Sequence, residues 1–209
     1  TIVVLRELLA GSTRFNELRR GMPRISPALL SQRLKELEAA GILARTASAT
    51  EPGVMEYQLT ASGRELGPIV LGLGAWGHRR IEAEVSLQNL DVQLLMWDMR
   101  RNLNTTPMPR RRSVVQFVYP ELAAGERSWW LLVDPEDGVD LCSIDPGFDV
   151  DLYASADLRA MTAIWMGHDT VRAALASGRL ILTGDTRLMA DMQTWLGLSV
   201  FAREMKLAS

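Results

Sequence analysis

The sequence predicts an α+β protein in two parts: a helical N-terminal part closed by a β-hairpin, then a C-terminal part with a five-stranded sheet covered by helices. Three observations lead there. Residues 26–41, SPALLSQRLKELEAAG, place Leu30, Leu34 and Leu37 on the single apolar stripe of a helix. Residues 42–46 and 54–59 are alternating apolar runs joined by a loop containing Pro52-Gly53, a hairpin pattern. After Ser113, strand-like runs crowd together and helical ones follow, which suits one sheet with helices packed on it.

Taken in order, residues 2–10 read as an apolar helix with Arg6 and Glu7 on its outside, ended by Gly11-Ser12. Ser12 or Thr13 starts a short helix over 14–20 with Phe15 and Leu18 inward, and the Gly- and Pro-containing stretch 21–25 is a compact turn. Ser26 is the N-cap of the next helix, Pro27 occupies its first position, and Gly41 closes it. Opposite its apolar stripe lie Ala28, Gln32 and Lys35, flanked by Ser31 and Arg33. Such a short, polar, partly basic face on a rigid element is what a major-groove reading helix requires, although an ordinary surface helix presents the same pattern. Two short helices, a tight turn and a long polar-faced helix make a helix-turn-helix, and the hairpin behind it is a wing. Its tip, Ser48 and Thr50, and its flank, Arg45, are placed to touch DNA backbone or minor groove. A helix opening at Thr60 is expected to run through Trp76 to about Glu84, with a kink or break near Pro68.

The second part begins with an amphipathic helix over 86–104 and a Pro- and Arg-rich connector, 105–112, read as a flexible solvated loop. Strands are expected over 114–119, 129–133, 139–144 and 150–154, at spacings that suit antiparallel hairpins. Helices over 157–166 and 170–177, capped by Asp157 and Asp169, a fifth strand over 179–183 and a helix over 185–196 follow. The tail 201–209 has no assigned element. Domains are accordingly expected at 1–85 and 86–209. Phe117, Trp129, Trp130, Met161, Trp165, Met189 and Trp195 are large or soft side chains that suit either an apolar ligand site or a solid core. Trp129 and Trp130 are adjacent in a strand, so only one of them faces the helices.

Charge supports this division. Residues 1–60 carry eight Arg or Lys against six Glu, whereas residues 86–209 carry twelve against sixteen Asp or Glu. A mildly positive front suits an approach to phosphate. Cys142 is the single cysteine and excludes an internal disulfide, and no apolar run matches a membrane span or a signal peptide, so a cytoplasmic protein is expected. Because the chain starts without Met inside a helical pattern, residues are expected to precede Thr1. His78 and His168 are isolated, and no nucleophile elbow, HExxH, CxxC or phosphate loop appears. The acidic turns of 134–151 lack the pattern of a calcium loop. No enzyme, metal or cofactor is therefore expected.

The string VLRELLAGSTRFNELRRGMPRISPALLSQRLKELEAAGILART, with EYQLTASGREL after it, resembles the winged-helix domain of HxlR-type transcriptional regulators over about residues 1–80. That resemblance implies a homodimer on an inverted repeat, one reading helix per half-site. Mapped onto this chain it makes Gln32 and Lys35 the base-contacting residues, with Arg24, Ser26, Ser31 and Arg33 on phosphates. Arg33 is equally placed for a salt bridge to Glu36 or Glu38, and Arg45 for a wing contact or for strand-edge solubility. Ala28 stands where many members carry a longer polar or basic residue, and the cysteine of redox-sensing members would lie before Thr1. Residues 86–200, through VDLCSIDPGFDVDLYASADLRAMTAIWMG, SGRLILTGD and WLGLSVF, resemble the sterol-carrier-protein-like lipid-binding domain. This second resemblance implies an apolar cavity for an acyl chain, sterol or similar ligand. Together the two imply a DNA-binding regulator that senses an apolar effector; the alternative is a lipid or acyl-chain carrier whose winged helix makes protein contacts. The segment from Gly63 to Glu84 is the expected dimer helix and coupling element.

Overall fold

A computed structural model describes residues 1–204, and the tail expected at 201–209 lies outside the described residues from 205 on. The chain divides into two compact units, Thr1–Arg80 and Ile81–Ser209.

The first unit runs α1 (Ile2–Leu9), α2 (Phe15–Arg20), α3 (Pro27–Ala39), β1 (Leu43–Ala47), β2 (Met55–Leu59), α4 (Ala61–Glu65) and α5 (Gly67–Arg80). Its core collects Leu30, Leu34 and Leu37 of α3 with Val4, Leu5 and Leu8 of α1, Leu18 of α2, and Leu43 and Leu59 of the hairpin. The Ser26 Oγ accepts the Leu29 amide at 3.2 Å, Pro27 takes the first helical position, and Gly41 leaves α3 at φ +68°. Strands β1 and β2 pair antiparallel, with Arg45 opposite Tyr57. The Tyr57 amide also donates to the Thr13 carbonyl at 2.7 Å, and Arg14 bridges to Glu56, so the chain before α2 lies along β2.

Two expectations for this unit change, the placing of Glu7 and the end of the helix that opens at Thr60. Glu7 is fully buried, where an outward position was expected. Its carboxylate accepts from Arg6 Nη2 at 2.7 Å and from Ser12 Oγ at 3.3 Å, and it lies where a side chain at position 21 would be. A Cβ on Gly21 would sit 1.8 Å from Glu7 Oε2. The helix opening at Thr60 breaks beside Pro68 as expected: it stops after Glu65 and restarts at Gly67, which puts Pro68 in a first turn where its missing N–H costs nothing. That second helix ends at Arg80, short of the expected Glu84.

The second unit runs α6 (Ala83–Ser86), α7 (Val92–Asn102), β3 (Ser113–Val118), β4 (Ser128–Asp134), β5 (Gly138–Cys142), β6 (Leu152–Ala156), α8 (Leu158–Trp165), α9 (Val171–Ala176), β7 (Leu180–Gly184), α10 (Thr186–Ala190) and α11 (Met192–Trp195). The five strands lie in the order β5-β4-β3-β6-β7. All pairs are antiparallel except β3–β6, which is parallel and corrects the expected run of hairpins. The cause is the segment after β5: it carries the chain past β4 and β3, so β6 enters on the far side of β3 running in the same direction. The Val115–Phe117 face of the sheet packs on Met96, Met99, Met161, Ile164, Met192 and Trp195 of the helices.

Local chemistry accounts for the remaining corrections. Asp91 caps α7 through the Leu94 amide at 3.0 Å, so the helix expected from 86 begins at Val92. Thr170, and not Asp169, caps α9; Asp169 pairs with Arg179 at 2.7 Å. The helix expected over 185–196 breaks at Asp191 into α10 and α11. Nor is the arginine connector a free loop. Arg111 pairs with Asp151 at 2.8 Å, Arg112 with Asp134 at 3.0 Å, and Met108 is buried.

Candidate nucleic-acid interface

The outward face of α3 follows from the inward one, because three buried leucines fix the rotation of the helix. Ala28, Gln32 and Lys35 are exposed, while Ser31 and Arg33 are half-buried at the flanks. Arg24 is exposed in the turn before the helix. Ser26 spends its Oγ as an acceptor on the cap, which leaves its O–H available to a phosphate.

Two of these side chains share a partner. Gln32 Nε2 donates to Glu36 Oε1 at 2.9 Å, and Arg33 Nη1 donates to Glu36 Oε2 at 2.6 Å. The Arg33 bond first, and the Gln32 bond second, hold the Glu36 carboxyl below its ordinary range. Of the two roles open to Arg33, the salt bridge to Glu36 is thus the one present in the unbound chain.

On the hairpin, Arg45 and Thr50 are exposed and Ser48 is half-buried. Ser48 is the organiser of the tip: its Oγ accepts the amides of Thr50 and Glu51, both at 3.3 Å, and donates to Glu56 Oε1 at 2.8 Å. Arg14 ties the tip to the start of α2, with Nη1 on Glu51 Oε1 at 2.8 Å and Nε 3.7 Å from Glu56. Those carboxylates, Glu51 foremost, raise the Arg14 pKa. Neither Arg14 nor the bond between Gln32 and Glu36 was singled out from sequence, which offered Glu36 only as a partner for Arg33. For the Gln32–Glu36 bond the signal was present, since the two residues stand one helical turn apart; for Arg14 there was none, because Glu51 is distant in the chain.

In the second unit Phe117, Trp129, Met161 and Trp195 belong to one buried cluster, with Trp165 and Met189 packed against it. Trp130 is set apart: it is buried on the other face of β4, opposite Gln116 and Cys142. Trp195 donates its indole N–H to the Leu188 carbonyl at 2.7 Å and Trp129 to the Glu126 carbonyl at 2.8 Å. The Trp165 indole nitrogen is buried with no hydrogen-bond partner among the described residues. Among those residues no cluster of His, Cys, Asp and Glu has the makings of a metal site, and no helix is long and apolar enough to cross a membrane.

Residues 1–85 match the family model for HxlR-like helix-turn-helix domains. The HTH-type transcriptional regulator YvaP of Bacillus subtilis is 38% identical over 80 residues, which cover 38% of this chain and 74% of YvaP. YdeP and YybR, HTH-type transcriptional regulators of the same organism, are 38% and 43% identical over 37% and 36% of this chain. The chain spans 60% of the length of each of these two relatives. Among solved structures, the redox regulator HypR in its reduced form is 42% identical over 36% of this chain and 75% of its own, with a TM-score of 0.34.

Proposed function

The chain belongs to the HxlR-like helix-turn-helix family of DNA-binding transcriptional regulators, and from that premise we propose that it binds operator DNA as a homodimer and answers to an apolar effector. The N-terminal domain, residues 1–85, is a winged helix-turn-helix with α3 in the major groove. Gln32 contacts adenine through its amide and Lys35 contacts guanine or phosphate. Arg24, Ser26, Ser31 and Arg33 position the helix on phosphates, and the wing adds Arg45, Ser48 and Thr50. The single observation that carries this reading is the outward face of α3, which puts Gln32 and Lys35 in solvent on a helix whose other side is locked into a core.

Self-association is supported by a second apolar stripe. Ile69, Leu73 and Trp76 recur at helical spacing along α5 and are 68%, 50% and 54% exposed, while Ile2 and Val3 of α1 are also exposed. A face of that kind marks an interaction surface, and a copy of the same chain buries it on both sides of a two-fold axis, which suits an inverted repeat. Residues 86–209 form the sterol-carrier-like domain, in which Phe117, Trp129, Met161, Trp165, Met189 and Trp195 receive an acyl chain or similar ligand. Trp130 stands on the other face of the sheet and is left out of that site. The effector acts by binding one conformation of the dimer better than another. Work on DNA places the protein in the cytoplasm.

The test is binding to DNA from upstream of its own gene across a salt series, with random-sequence competitor. Specific binding with a steep negative salt slope is expected, because phosphate contacts release counterions. Gln32→Ala and Lys35→Ala should each weaken operator binding by about tenfold. Salt-insensitive binding no better than to random DNA, with lipid co-purifying in mass spectrometry, would instead establish the carrier.

A further inference from the structure

We propose that Glu36 is a specificity-determining positioning residue of the reading face: it holds Gln32 in its reading pose and opposes seating on DNA that does not match. The inference rests on α3 being the groove helix. At about 100° per residue, Glu36 lies about 40° from Gln32 around the helix, and Lys35 about 60° away on the other side. The outward face therefore carries a cation and a carboxylate flanking one amide.

Each carboxylate oxygen has one task. Oε1 accepts one of the two N–H bonds of the Gln32 amide at 2.9 Å, and Oε2 accepts Arg33 Nη1 at 2.6 Å. Gln32 keeps one N–H and its carbonyl oxygen, the donor–acceptor pair that matches the N7 and amino edge of adenine. Because the amide is held before binding, less rotamer freedom is lost on contact. Arg33 is steadied by the same group and keeps further N–H donors for a phosphate.

The second effect is electrostatic. The carboxylate stays charged at neutral pH, since Arg33 and Gln32 both favour its ionised form. Any duplex brings phosphates toward this face, and a like charge there weakens non-specific attraction. On the matching sequence the base contact of the pre-set Gln32 offsets that cost; on others nothing does. Glu36 thus widens the gap between the two affinities, a form of specificity built from repulsion as well as contact. As an exposed pair it adds little to folding.

The experiment uses the full chain and two probes: the duplex that the wild-type protein enriches from a random-sequence pool, and a scrambled duplex of the same composition. Glu36→Gln removes the charge at nearly constant volume. It should tighten the scrambled duplex by about threefold and loosen the enriched one by about threefold, so their ratio falls about tenfold while the melting temperature holds. In a cycle with Gln32→Ala, the loss caused by Glu36→Ala on the enriched duplex should vanish. A ratio within about twofold of wild type, or a Glu36→Ala loss that persists in full without Gln32, overturns the proposal. If the wild-type protein enriches no sequence, or Gln32→Ala leaves the ratio unchanged, it is the groove-helix reading that fails, and the role of Glu36 fails with it.

Discussion

Gly63 shows how a single side chain that is missing decides a local arrangement. A Cβ there would meet the Ile42 carbonyl oxygen at 2.0 Å, and that oxygen belongs to backbone that cannot swing aside. The close approach lets Thr60 bind both ways at once: its Oγ1 accepts the Gly63 amide at 3.1 Å and donates to the Gly41 carbonyl at 2.7 Å. Gly63→Ala should cost the N-terminal unit about 2–4 kcal/mol, read as an earlier denaturant midpoint; a change below about 0.5 kcal/mol would show that α4 shifts at no cost. Arg14 has a subtler task, because its pairs with Glu51 and Glu56 are partly exposed and such pairs change stability little. Arg14→Ala is expected to leave the melting temperature nearly unchanged yet to speed hydrogen exchange at the amides of 48–54. Unaltered exchange would mean that Ser48 alone orders the tip.

Backbone amides, that of Glu136 first, hold Asp134 below its ordinary range with Arg112 assisting, and the Leu188 amide does the same for Asp185. A depressed carboxyl is bound more tightly as the anion in the folded chain. The stability it supplies is therefore present above its unfolded pKa of about 4 and lost as pH falls below it. Melting temperature should stay level from pH 7 to 5 and drop under about pH 4, with a smaller drop in Asp134→Asn and Asp185→Asn. An equal drop in those variants would assign the acid sensitivity to other groups.

At the scale of elements, α3 and α5 are opposite solutions to amphipathicity. The helix α3 has one apolar stripe and buries it, so its polar face is left over for work. In α5, Ile69, Leu73 and Trp76 stand in solvent within a helix that carries three glycines besides its first residue, a poor helix former by propensity. Packing must supply what propensity does not. Trp76→Glu should convert a dimer to a monomer in light scattering and, with it, lower operator affinity by more than tenfold, since each half-site then binds alone. A dimer that survives the charge would move the interface elsewhere.

At the scale of the whole molecule, two units with separate cores stand in one chain, one around the α3 leucines and one between sheet and helices. The second contains Met96, Met99, Met161 and Met192, all fully buried, beside the buried and unpartnered indole nitrogen of Trp165. Flexible thioethers suit a core that must admit different shapes. Titration of the full chain with a long-chain fatty acid should quench tryptophan fluorescence and change operator affinity together. Quenching alone would leave a lipid binder uncoupled from DNA, and neither change would assign these methionines to packing only.

Elements whose signals are local were legible in the chain alone. The stripe of α3 with its Ser26 cap and Gly41 exit, the hairpin pattern around Pro52-Gly53, and the alternation that set Trp129 and Trp130 on opposite faces are all written within a few residues. Sequence also placed Gln32 and Lys35 on the outward face, because knowing one side of a helix fixes the other. Features that depend on distant partners emerged with the packed fold. Burial of Glu7 needed the space left by Gly21, the anchoring of the connector needed Asp151 and Asp134, and the parallel β3–β6 pair needed a crossover that strand spacing does not encode. The difference is one of range. Caps, periodicity and turn chemistry act over a few residues, whereas charge pairing and strand order are settled by which surfaces meet after the chain has collapsed.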